Sequence, residues 1–142
     1  MTIARLIENR SPTIVSCDCA MSVGHAVGLL AERRIGALPV LSDGKVAGIF
    51  SERDVLYQLH AQGAAVLEQP VSNVMTAPAV SVTPETEILS ALALMTRRRI
   101  RHLPVMQGET MVGFVSIGDL VKYRIDRIEA EAEAMRAYIQ AA

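Results

Sequence analysis

Apolar residues along the chain switch between a helical and a strand-like period. Val23, Ala26, Val27 and Leu30 recur at i, i+3, i+4 and i+7, which predicts a helix with one buried face. Residues 38–41 and 46–50 are apolar runs joined by Ser42-Asp43-Gly44-Lys45, and Asp-Gly between such runs predicts a hairpin. A further helix is predicted to open at Ser51 and to close near Gly63, a residue suited to the position just past a helix end. Before these, Ile3, Leu6 and Ile7 predict a short amphipathic helix over residues 2–9, ended by Ser11-Pro12, and residues 13–16 read as a short strand.

The order then repeats. Residues 64–76 form a linker with a turn of helix at 71–75. After it, Val80 and Val82 predict a strand, and Ile88, Ala91, Leu92 and Met95 a helix. Residues 103–106 and 111–115 predict a hairpin, and Ser116 opens a last helix. Leu38-Pro39-Val40, Gly48, Ser51 and Asp54 return as Leu103-Pro104-Val105, Gly113, Ser116 and Asp119, at a constant offset of 65. A fixed offset marks an internal repeat. The expected fold is α/β (α+β): two β-α-β-β-α repeats packed face to face around one shared core, because each copy is too short to bury a good core alone. The expected units are residues 1–68, with the N-terminal helix, residues 69–124, and a helical extension at 125–142.

The last helix has no Gly or Pro to end it before about Gln140. Val121, Ile125, Ile128, Ala132, Met135 and Ile139 follow a 4-3-4-3-4 spacing, a heptad seam. Its length beyond the first copy predicts a partner helix, and hence a homodimer, over a helix that folds back on its own domain.

Composition narrows the function classes. The chain is 51% hydrophobic, yet no apolar run approaches the roughly 18 residues of a membrane span. The start Met1-Thr2-Ile3-Ala4-Arg5 lacks the pattern of a secretion signal, so a cytoplasmic location is expected. A net charge of −1 argues against broad nucleic-acid binding. Cys17 and Cys19 are too close for an ordinary disulfide and lack companions for a metal site. His25, His60 and His102 are scattered, and no phosphate loop or catalytic set appears, so no enzyme is expected.

Candidate chemistry centres on Ser51-Glu52-Arg53-Asp54 and Ser116-Ile117-Gly118-Asp119. Ser-x-x-Asp at a helix start can serve as a capping box alone. A helix start after a strand is also an anion site, and a carboxylate there can take two hydrogen bonds from a ribose diol. The two readings are compatible. The cations differ between copies: Arg53 aligns with Gly118, and Arg101-His102 with Gly36-Ala37. Arg97 and Arg98 read as a solvated helix end. Arg101 and His102 stand at the entry of a core strand, where a phosphate would offset the cost of burying charge.

The repeated Leu-Pro-Val, the Gly-x-x-Ser-x-x-Asp after each, and the linker Val74-Met75-Thr76 resemble a tandem pair of cystathionine-β-synthase-type (CBS) domains over roughly residues 3–124. Ser51-Glu52-Arg53-Asp54 and Arg101-His102-Leu103-Pro104-Val105 look like those of stand-alone bacterial members. The resemblance implies a pseudo-twofold module with two clefts for adenosine ligands: AMP, ADP, ATP, S-adenosylmethionine or NAD. It implies that Asp54 and Asp119 hold ribose, that Ser51 and Ser116 meet phosphate, and that Thr76, Ala77 and Val80 line a base pocket. It also implies dimers shaped as flat discs. Cys17-Asp18-Cys19-Ala20 departs from the family's Pro-acid pair, which the second copy keeps as Pro84-Glu85. The expected function is a nucleotide sensor whose ligand state is read by a protein partner not yet identified. The alternative is a structural or adaptor homodimer with empty clefts.

Overall fold

Two hairpins anchor the computed structural model, which describes residues 1–10 and 13–141. In the first, β2 (Ala37–Ser42) runs antiparallel to β3 (Lys45–Ser51). Asp43 at φ 51° and Gly44 at φ 80° make the turn, both in the left-handed region that a two-residue hairpin favours. In the second, β4 (His102–Gln107) pairs with β5 (Thr110–Ser116). Leu38 faces Phe50 and Val40 faces Gly48; at the same offset, Leu103 faces Val115 and Val105 faces Gly113. Each ladder shifts register just after its central valine.

Helices complete each half. α2 (Val23–Arg33) and α3 (Glu52–Gln62) belong to the first copy, α4 (Ile88–Arg98) and α5 (Ile117–Ala141) to the second. Short 3-10 turns at Gly63–Glu68 and Val71–Asn73 occupy the linker. α1 (Ile3–Ile7) is a single short helix; the expected stop at Ser11-Pro12 lies outside the described residues.

Three expectations change. The strand expected at residues 13–16 forms later, as β1 (Cys17–Asp18), which pairs parallel to β2 with Cys17 opposite Val40. In the second copy only Val82 makes the matching parallel bridge, to Val105, and Val80 lies outside it. Ile14 and Val15 are apolar because they line a cleft, so their pattern resembled a strand without forming one. The single shared core is replaced by two buried clusters, one under each hairpin. Cys17 is buried in the first of these, and burial, with Asp18 and Cys19 beside it, pushes its thiol up to about 11, so it stays protonated.

The third change concerns the segment that leads into each copy. Ile3 and Leu6 of α1 are buried with the second copy, whereas Val71 and Val74 of the linker are buried with the first. The hydrogen bonds match. The Ile3 N–H donates to Thr86 O and Ala4 N–H to Pro84 O; the Val71 N–H donates to Met21 O and Ser72 N–H to Cys19 O. Each leading segment therefore closes the core of the other half, with an offset of 68 between them where the rest of the repeat keeps 65.

Candidate functional site

Two clefts open where the crossed segments meet the hairpins. Each takes its Ser-x-x-Asp from one half and its opposite wall from the other half.

The first cleft, of about 360 Å³, holds the start of α3. Ser51 caps that helix: its Oγ accepts from Asp54 N–H at 3.3 Å, and Asp54 Oδ2 accepts from Ser51 N–H at 2.9 Å. This reciprocal pair satisfies two backbone donors and fixes the carboxylate at the helix start. Asp54 Oδ1 faces outward and accepts from Thr76 Oγ1 at 3.2 Å. Thr76 reaches it because its backbone bridges Ile49 on β3. Across the cleft stand Arg99, Ile100, Arg101 and His102, all from the second half. Arg99 ends α4 in the left-handed conformation, at φ 56°, and its carbonyl accepts from Arg53 Nη1 at 3.1 Å. Three arginines, Arg53, Arg99 and Arg101, thus line the first cleft together with the carboxylates of Glu52 and Asp54.

The second cleft, of about 680 Å³, holds the start of α5. Ser116 and Asp119 repeat the cap: Ser116 N–H donates to Asp119 Oδ2 at 2.8 Å, and Asp119 N–H to Ser116 Oγ at 3.0 Å. The outward oxygen has a different partner here. Arg10 Nη2 lies 2.8 Å from Asp119 Oδ1. Burial raises the Asp119 carboxyl, but the Arg10 and Ser116 hydrogen bonds and the Arg10 charge outweigh it and hold it below the ordinary value of 3.8. The opposite wall comes from Arg34, Ile35, Gly36 and Ala37, and Arg34 ends α2 at φ 53° as Arg99 ends α4.

Gly36 and His102 border both clefts. The His102 ring stacks on Phe114 with centroids 5.7 Å apart. Burial lowers its pKa below 6.5, with Arg101 adding to the effect and Asp119 and Glu52 opposing it.

Of the residues singled out in the sequence, Ser51, Arg53, Asp54, Thr76, Val80, Arg101 and His102 line the first cleft, and Ser116, Asp119 and His102 the second. Ala77 lines neither; its neighbours Pro78 and Ala79 line the first. Arg101 therefore shares the first cleft with Asp54, although in the sequence it stands near Asp119. Sequence reasoning missed Arg10, Arg34 and Arg99. The paired helix ends at offset 65 were a signal for Arg34 and Arg99. Arg10 had none, because its counterparts are Met75 or Pro78. Among the described residues, no cluster of His, Cys, Asp or Glu could hold a metal ion, and no helix is long and apolar enough to cross a membrane.

Comparison with known proteins fits this geometry. The CBS domain model matches twice, at residues 7–61 and 71–126. The CBS domain-containing protein CBSX3, mitochondrial, of Arabidopsis thaliana is 39% identical over 129 residues, which cover 87% of this chain and 63% of that protein. The chain thus spans less than two thirds of that relative's length. The crystal structure of a CBS-domain containing protein from Agrobacterium tumefaciens superposes with a TM-score of 0.83 at 37% identity, covering 87% of this chain and 99% of that one. CBSX2, solved in complex with AMP, shares the fold with a TM-score of 0.74 at 24% identity, over 88% of this chain and 96% of that one. With both copies of the repeat matched and the fold shared, the chain belongs to the CBS-domain family as a tandem pair of CBS domains.

Proposed function

We propose that this chain is a regulatory module that binds an adenosine nucleotide of the AMP, ADP, ATP or NAD type in its two clefts and signals by a change of shape. One observation carries the reading: in each cleft a carboxylate fixed at a helix start in one half faces arginines from the other half. A ribose diol suits the carboxylate, and phosphates suit the arginines and the helix start. CBSX2 holds AMP on the same fold, which supports the ligand class. A ligand that touches both halves favours one relative placement of them. It shifts their equilibrium by its differential affinity for the two states. A second protein would read that shift.

Calorimetry with AMP, ATP and NAD on Asp54→Ala, Asp119→Ala and the double variant tests the reading. A hydrogen bond to a charged group contributes about 1.5–3 kcal/mol, so each single variant should weaken binding at one cleft by roughly tenfold or more. Each aspartate also caps a helix, so circular dichroism accompanies the titration. A folded double variant that binds all three nucleotides at wild-type affinity refutes the ribose assignment.

A further inference from the structure

Among the described residues, none covers the apolar seam along the far half of α5. From Ile125 to Ala141 every residue is exposed except the half-buried Ala132. Five large members of the seam are open to solvent: Val121 at 42%, Ile125 at 48%, Ile128 at 47%, Met135 at 61% and Ile139 at 66%. The seam runs roughly 27 Å along the helix at 1.5 Å per residue. Most helical stability in proteins comes from packing of an apolar face, so an exposed apolar stripe along this helix calls for cover.

The charges beside the stripe say what covers it. Ile125, Ala132 and Ile139 fall on the a positions of the heptad, and Val121, Ile128 and Met135 on d. Arg124 and Glu131 then flank the seam at g, and Glu129 and Arg136 at e. In a parallel pair of helices a g residue meets the e residue five positions on in its partner. Arg124 would meet Glu129 of a second copy, and Glu131 would meet Arg136, with both contacts doubled by symmetry. Every flanking pair is opposite in sign. Arg136 at present bonds Glu133 on its own helix, at 2.7 Å, and both groups are exposed and free to re-pair.

The antiparallel arrangement fails the same test. The alignment that places all six seam residues opposite one another sets Ile125 against Met135 and Ile128 against Ala132. It then brings Glu129 against Glu129, Glu131 against Glu131, and Lys122 against Arg136. A shift by one heptad in either direction relieves these like charges but leaves two large seam residues without a partner, Met135 and Ile139 in one case and Val121 and Ile125 in the other. We propose that α5 is a docking surface for a second copy of this chain, joined through a parallel, in-register pairing of residues 121–139. The inference is independent of any ligand in the clefts.

Charge reversal on the full chain tests it, read by sedimentation equilibrium with helix content checked by circular dichroism. Chain one carries Arg124→Glu and Glu131→Arg; chain two carries Glu129→Arg and Arg136→Glu. Each alone should self-associate at least tenfold more weakly than the wild type. An equimolar mixture should recover the association, and so should one chain with all four changes. Ile128→Glu should weaken association in every background. A wild type that stays monomeric at hundreds of micromolar overturns the proposal. A dimer indifferent to Ile128→Glu overturns it too, since another face must then join the copies. If chain one alone associates as well as the wild type, the pair is antiparallel and the proposed arrangement is wrong.

Discussion

Asp54 and Asp119 occupy the same place in the repeat but keep different company. Thr76, a neutral hydroxyl, meets the outward oxygen of Asp54, whereas the Arg10 guanidinium meets that of Asp119. Asp119 is therefore held ionised below the ordinary carboxylate range. A carboxyl whose folded-state pKa lies below its unfolded value stabilises the fold above the unfolded value, and that contribution is lost as pH falls through the folded one. Arg10→Ala removes the hydrogen bond and the charge that lower it. The variant should melt below the wild type at pH 7, and the gap should close as pH falls beneath about 4. Thermal melts of both proteins across pH 3–7 provide the check. A gap that stays constant to pH 3 would mean that Arg10 acts through packing and not through the Asp119 charge.

At the level of elements, the crossing of the leading segments depends on bare backbone in the hairpins. A Cβ built on Gly48 would lie 2.7 Å from Thr76 O and 2.8 Å from Met75 Sδ. The oxygen belongs to the segment that bridges β3 and cannot swing aside. Gly113 is its repeat partner, yet there the nearest atom is Ile7 Cγ2 at 3.2 Å, on a side chain that can yield. Gly48→Ala should therefore destabilise the chain by about 1–3 kcal/mol, as overpacking of a tight contact does, and Gly113→Ala by less. Denaturant melts of the two variants compare them directly. Equal losses would show that both crossings have the same freedom to shift.

For the molecule as a whole, crossing two similar halves yields two dissimilar clefts. Arg53, Arg99 and Arg101 gather at the smaller one, while the larger one has Arg34 and an Arg10 already paired with Asp119. Ligands with more phosphate should favour the smaller cleft. Competition calorimetry with AMP, ATP and NAD should resolve two unequal sites, and Arg101→Ala should weaken ATP more than AMP at one of them. Two identical, independent sites for all three nucleotides would contradict the assignment of cations to clefts.

The features legible in the sequence are those set by short-range physics. The helix and hairpin order followed from periodicity. The turn at Asp43-Gly44 followed from two left-handed positions, and the caps at Ser51 and Ser116 from a hydroxyl and a carboxylate three residues apart. The constant offset tied these into two matching units and led to both aspartates. The α5 seam was legible as a spacing, since a heptad is also a local pattern. Tertiary structure decided the rest. Periodicity could not tell Ile14 and Val15 in a cleft wall from the same residues in a strand. Nor could it show that α1 closes the second core, because Ile3 and Leu6 would present the same apolar face to either half. The contacts that distinguish the clefts, Arg10 with Asp119 and Arg53 with the carbonyl of Arg99, join residues far apart in the chain. Such pairs leave no periodic trace. They arise only when the two leading segments cross and each Ser-x-x-Asp is set against the opposite half.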